Sequence, residues 1–149
     1  MAVERAASGI YEMFALRFPD DAGLWEKLAL EELEHMQILA LIEAYGPFED
    51  DRSEMPALPS GDIISRTLTY LDNMESKLRV TALTREEAFE AALKIENNMV
   101  ESYLNEHKEL KRYEQTGHMN QMGRLLESER THIDIITQHM NEQGVASYS

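Results

Sequence analysis

The sequence contains no cysteine, and that absence excludes disulfides, zinc ribbons, thiol catalysis and iron–sulfur ligation by its own side chains. Proline and glycine are scarce, four and seven among 149 residues, which favours helix over a sheet with many turns. No run approaches the roughly 18 apolar residues that a membrane span needs, so no membrane association is expected. Basic residues are few. Fourteen of them against 28 acidic ones leave a formal net charge of −14, the wrong sign for a nucleic-acid or anionic-lipid surface. The first 18 residues include Glu4, Arg5, Glu12 and Arg17 and do not read as a secretory apolar stretch, so the cytoplasm is the expected compartment.

What is present is helix-forming sequence with 43% apolar residues, enough for one domain with a real core. Four long patterned segments predict an all-α fold. The first runs from about 3 to 18 and is broken by Pro19, Asp20 and Asp21. The second covers about 22–45 and is stopped by Gly46 and Pro47. The third spans about 84–115, opened by a capping box at Thr84, Arg85, Glu86 and Glu87 and closed before Gly117. The fourth spans about 119–143 and ends at Gly144, with a loose tail expected over 145–149. A crossover over 46–83 begins as a proline-rich loop and carries a short helix over 62–80, with Asp62 as its expected cap. Short links make the first and last pairs antiparallel hairpins, and the long crossover joins the two hairpins into a four-helix bundle.

The informative feature is polar residues where the core should be. Followed at steps of three and four, the second segment's apolar seam reads Trp25, Leu28, Glu32, His35, Leu39, Ile42. The fourth reads Met122, Leu125, Glu129, His132, Ile136, then His139 or Met140. The third gives Phe89, Leu93, Glu96, Val100, Tyr103, His107, Leu110, and the first gives Glu4, Ala7, Tyr11, Phe14, Phe18. Each seam is interrupted by a glutamate, and two of them add a histidine one turn later. A carboxylate in a bundle core costs several kcal/mol unless its charge is compensated. No lysine or arginine lies on these seams. Two divalent cations would offset four carboxylates, and neutral imidazoles would complete their coordination. Residues three apart share a helical face, so each Glu-x-x-His pair can bind one ion or help bridge two.

Bundles of the ferritin-like di-iron or di-manganese kind draw one glutamate from each of two helices and a Glu-x-x-His pair from each of the other two. Glu4 and Glu96 supply the single carboxylates; Glu32 with His35 and Glu129 with His132 supply the pairs. Singly these motifs are cheap. Together they repeat one order in both halves: a Glu-x6-Tyr segment, then a Glu-x-x-His segment.

The stretches ERAASGIY, LWEKLALEELEH, IENNMVESY and LLESERTH make the chain resemble the di-iron domain of the rubrerythrin-like branch of the ferritin-like superfamily, over nearly its whole length. The resemblance implies that Glu32 and Glu129 bridge two iron ions, with Glu4, His35, Glu96 and His132 as terminal ligands; manganese or a mixed pair is the alternative metal content. It implies reaction of Fe(II) with peroxide or dioxygen, in an oxidoreductase or ferroxidase type of chemistry. Two departures stand against simple transfer of a peroxidase activity. Met99 occupies the position where rubrerythrin peroxidases carry an extra glutamate, and a cysteine-free chain has no rubredoxin-like module, so electrons would come from an external donor protein. Glu4 lies in a first helical turn, where fraying is expected. The alternative function is metal binding or sequestration without turnover. A monomer or homodimer is expected.

Tyr11 and Tyr103 are expected to pack near the metal centre and to hydrogen-bond carboxylates that lie behind its ligands. His107 and His139 read as structural or partly exposed, His118 as a loop or cap residue, and Trp25 as packing. Met13, Met36, Met74, Met99, Met119, Met122 and Met140 read as adaptable core filler, and Glu49, Asp50 and Asp51 as a solvated loop.

Overall fold

The computed structural model describes residues 2–44, 61–80, 82–112 and 116–145. The described chain is all-helical: α1 (Ala2–Arg17), a 3-10 turn (Pro19–Asp21), α2 (Ala22–Ala44), α3 (Gly61–Val80), α4 (Arg85–Arg112) and α5 (Thr116–Gln143). The loop expected over 46–60, with its acidic run, and the end of the tail lie outside the described residues. No described helix is long and apolar enough to cross a membrane.

Local chemistry explains the helix ends. Phe18 leaves helical space at φ −125°, ψ 76°, and Pro19 starts the 3-10 turn, closed by Asp21 N donating to Phe18 O at 3.0 Å. The reversal lays α1 along α2, where Ser8 Oγ donates to Ala29 O at 2.8 Å. At α4 the capping box forms as the sequence predicts: Glu87 N donates to Thr84 Oγ1 at 3.1 Å, and Thr84 N donates to Glu87 Oε1 at 3.2 Å. Thr84→Ala is expected to cost about 1 kcal/mol. In a thermal melt that is a fall of about 3 °C; an unchanged midpoint would show the cap to be idle. Gly144 ends α5 at φ +68°, with its N–H on Asn141 O (3.3 Å) and Val145 N–H on Met140 O (2.9 Å). That double bond is a Schellman motif. Val145 is thereby turned into the core, against the expectation of a loose tail from 145 onward.

Other boundaries differ from the sequence reading for identifiable reasons. Helix α5 begins at Thr116, so Gly117 and His118 lie inside its first turn rather than in a break or loop. A glycine is tolerated there because first-turn N–H groups have no intrahelical acceptor. Asp62 likewise sits in the first turn of α3, beside the helix N-terminus, rather than before it. The crossover helix is 20 residues long and is no mere connector. Its stripe of Ile63, Thr67, Leu71, Met74 and Leu78 is buried, and it packs on α1 and α4. Arg17 Nη2 donates to Leu78 O at 2.7 Å, tying the end of α1 to the end of α3.

Asp21, expected only to break a helix, is buried and anchors the same end of the molecule. Arg85 grips it with two bonds, Nε to Oδ2 at 2.7 Å and Nη2 to Oδ1 at 2.6 Å, and His139 Nε2 lies 2.8 Å from Oδ1. Burial is the largest single influence on its carboxyl and pushes it up, but these contacts together outweigh it and hold the group below the usual carboxylate range. They give His139 the structural role the sequence suggested.

The main apolar cluster gathers α1, the first turns of α2, and parts of α3, α4 and α5 around Trp25, Phe14 and Phe89. Trp25 has ring centroids 5.0 Å from both phenylalanines and stacks on Tyr11 at 5.8 Å. A smaller cluster, Tyr103, Met122, Leu125 and Leu126 with Leu39, Ile42 and Val100 against it, fills the far half of the bundle. On α4 the buried face is centred on Ala92, Ile95 and Met99, while Leu93 and Val100 are only half-buried. Met74, Met99, Met122 and Met140 are buried, as filler residues should be; Met13, Met36 and Met119 are half-buried.

Candidate metal centre

Between the two apolar clusters lies a layer of buried acid and imidazole. Four helices each give it one carboxylate: Glu4 from α1, Glu32 from α2, Glu96 from α4 and Glu129 from α5. Helices α2 and α5 add His35 and His132 one turn further on, where the helical repeat returns a side chain to the same face. Glu4 is buried despite its place in the first turn of α1, because Tyr103 reaches across from α4 to hold it.

Glu32, Glu96, Glu129 and His132 converge: each offers a ligand atom, and these atoms all lie within 4.8 Å of one another. His132 Nδ1 stands 3.2 Å from Glu32 Oε1, 3.4 Å from Glu96 Oε2 and 3.4 Å from Glu129 Oε2. His35 and Glu4 stand beside this group. His35 Nδ1 is 2.5 Å from Glu129 Oε1 and 3.6 Å from Glu32 Oε2, and its ring stacks on that of His132 with centroids 5.3 Å apart. Glu32 and Glu129 therefore each present one oxygen to His35 and the other to His132.

A second ring of contacts repeats the same reciprocity. Tyr11 Oη on α1 donates to Glu96 Oε1 on α4 at 2.7 Å, and Tyr103 Oη on α4 donates to Glu4 Oε1 on α1 at 2.7 Å. The tyrosines thus bond the carboxylates directly. His132 Nε2 on α5 lies 3.0 Å from Glu31 Oε2 on α2, and His35 Nε2 on α2 lies 2.8 Å from Ser128 Oγ on α5. Sequence reasoning missed Glu31 and Ser128. Their signal was available: each immediately precedes the glutamate of a Glu-x-x-His pair, hence stands four residues before the histidine, on the same helical edge.

The electrostatics of this layer are strained. Burial, and then the neighbouring Glu96 and Glu32, push the Glu129 carboxyl well above the carboxylate range. Burial would raise Glu32 too, but its contacts with His132 and His35 win and lower it. His132 is raised although burial works against its charge, because Glu129, Glu32 and Glu96 together favour the imidazolium. Burial, then Glu96, Glu32 and Glu129, lift Tyr11 well above the ordinary phenol range, and burial, then Glu4, Glu129 and Glu32, do the same to Tyr103, so both stay protonated donors. Among the described residues, the ion-pair partners of Glu32, Glu96 and Glu129 are histidines alone.

The residues fit a metal ion on their own geometry. Both oxygens of Glu32, Glu96 Oε2, Glu129 Oε2 and His132 Nδ1 are buried without a hydrogen-bond partner. The short His132 Nδ1 approaches to oxygen lack hydrogen-bond direction, so proximity does not satisfy these atoms. Native proteins rarely leave so many buried polar atoms orphaned, and every one of these faces the same point of convergence. A cation there could take one atom from each of Glu32, Glu96, Glu129 and His132 as a ligand. The oxygen and imidazole donor set contains no thiolate of the kind that softer metals prefer. Elsewhere, half-buried His107 packs against Gly123 of α5, away from this cluster. Comparison of the chain with protein-family models, with curated proteins and with solved structures gives no match.

Proposed function

We propose that this chain is a non-haem di-iron carboxylate protein with a ferritin-like four-helix core, similar to the rubrerythrin-like di-iron domain, acting on peroxide or dioxygen. The observation that carries the reading is the buried layer itself: Glu32 and Glu129 each offer one oxygen toward His35 and one toward His132, and of these four oxygens only Glu129 Oε1, bonded to His35, has a hydrogen-bond partner. In this reading Glu32 and Glu129 bridge, His35 with Glu4 completes one metal position, and His132 with Glu96 completes the other. An iron pair held by these residues would supply the redox chemistry. The charge balance favours two ions over one, since two divalent cations match four carboxylates.

The chain's own residues then do three things. Tyr11 and Tyr103 fix Glu96 and Glu4 by hydrogen bonds that must be kept for those carboxylates to hold their orientation. Trp25, Phe14, Met99 and Ile136 on one side and Tyr103, Met122 and Leu125 on the other exclude water, which strengthens every charge interaction inside. Met99 is buried one turn beyond Glu96, so an apolar thioether stands where a further carboxylate would make the site more acidic. Electrons for repeated turnover come from a separate donor protein.

Metal analysis after iron-supplemented expression tests the reading. About two ions per chain are expected, and fewer than about 0.3 per chain would leave a metal-free interaction bundle as the better description. Steady-state peroxide or dioxygen consumption with an added reductant separates an enzyme from a sequestering protein, which would bind the same ions without turnover.

A further inference from the structure

Glu31 and Ser128 occupy equivalent places in the two halves of the centre. Each precedes the glutamate of a Glu-x-x-His pair, and each meets the outer nitrogen of the imidazole on the facing helix. The equivalence is geometric and not chemical: one partner is a carboxylate, the other a hydroxyl. When Nδ1 of a ring serves as ligand, Nε2 carries the hydrogen and donates it outward. A carboxylate accepts that hydrogen more strongly than a hydroxyl does, and its negative charge makes Nδ1 the better electron donor. Ser128 adds no charge.

Two other features are shared evenly between the halves. Glu32 and Glu129 present one oxygen to each histidine, and Glu96 and Glu4 each accept a tyrosine hydroxyl at 2.7 Å. The halves differ in the closer gathering of Glu96 and His132 about Glu32 and Glu129, and in the outer partners of the two rings. Glu31 also reaches the surface: its side chain is 31% exposed, against 1% for His132, so water touches one side of the carboxylate while the other meets a buried ring.

We infer that Glu31 is a positioning residue that makes the two metal positions unequal, so that the ion held by His132 binds first and more tightly than the ion held by His35. The inference rests on the two-metal reading above and specifies an order of filling that the reading leaves open.

Anaerobic titration of the metal-free full chain with Co(II) tests it, followed by visible absorption and by the paramagnetically shifted N–H resonances of the two imidazoles. Two resolved steps are expected, with the His132 resonance shifting in the first. Glu31→Gln, nearly equal in volume and at a half-exposed position, should weaken the first step by about 10- to 100-fold and draw the two steps together. Ser128→Asp should tighten the second step by a similar factor. A merely structural role for Glu31 would lower the melting temperature and leave the order of the two resonances as in the wild type. Two equal affinities in the wild-type chain, or an unchanged first step in Glu31→Gln, would overturn the inference while leaving the metal centre standing. Absence of any cobalt binding would sink both together.

Discussion

Glu129→Ala is expected to take metal content from about two ions per chain to fewer than about 0.3 while most of the helix content survives. Glu129 is fully buried, its Oε1 meets His35, its Oε2 faces His132, and Glu32 and Glu96 crowd it. On the two-metal proposal, losing a bridge would remove one donor from each ion and leave both positions short of ligands. The helices have a different source of stability. They are held by the Trp25, Phe14 and Phe89 cluster and the Tyr103, Met122 and Leu125 cluster, neither of which needs Glu129. Glu129→Gln serves as the volume-matched control. It removes a carboxyl that folding forces into a crowd of like charges without opening a cavity, so the metal-free variant should melt at or above the wild type. Glu32→Ala should behave like Glu129→Ala in metal content. Wild-type stoichiometry in either alanine variant, measured by elemental analysis with far-ultraviolet circular dichroism as the folding check, would refute the bridging roles.

Why the seams were legible and other features were not follows from range. Glu32, Glu96 and Glu129 each interrupt an apolar repeat within one helix, and such an interruption is visible along a single line of sequence. So were the Thr84 capping box and the break at Pro19, which are local in the same way. The role of Asp21 was invisible because its partners, Arg85 and His139, are distant in sequence and meet it only once α4 and α5 have packed. Helix α3 was underrated for the same reason: its stripe was readable, but its burial depends on α1 and α4 presenting a surface to it. The α4 seam was traced through Leu93 and Val100, yet α4 packs on both α3 and α5, and its buried face widens toward Ala92 and Met99. Glu31 and Ser128 each precede a paired glutamate, a place visible in the sequence that does not by itself say which ring they meet. Only the pairing of α2 with α5 converts them into partners of the opposite histidine.

Local rules and global packing agree along most of this chain and conflict in one layer. Strong helix formers, caps and apolar stripes all point to the same bundle, while the acidic layer opposes it. Such conflicts are expected where function has been favoured over stability. The price of that layer should be visible as a pH dependence of the opposite sign in the metal-free and metal-loaded protein.

In the metal-free state both Glu129 and His132 hold protons to higher pH than they would in the unfolded chain. Above the ordinary Glu value of 4.5 the unfolded chain releases the Glu129 proton while the fold retains it, and above 6.5 the same is true of His132. The folded state then binds more protons, so its stability falls with rising pH, by about 1.4 kcal/mol per pH unit for each retained proton. Glu32, lowered instead, contributes with the opposite sign and only below about its ordinary 4.5. Between pH 5.5 and 8.0 the metal-free protein should therefore lose several kcal/mol. Its melting temperature should drop on the order of 10 °C. Metal reverses the trend, because cations displace these protons and bind better as proton competition fades. The gap between metal-loaded and metal-free melting temperatures should widen steadily from pH 5.5 to 8.0. The net charge of −14 adds a general repulsion that also grows with pH, and Glu129→Gln separates the two effects. With no proton to retain at that position, the variant should show a shallower metal-free slope, by about 1.4 kcal/mol per pH unit, while the background repulsion stays. A metal-free protein that becomes more stable as pH rises through this window, or a variant with the wild-type slope, would mean that the acidic layer is not the proton store its burial and crowding require.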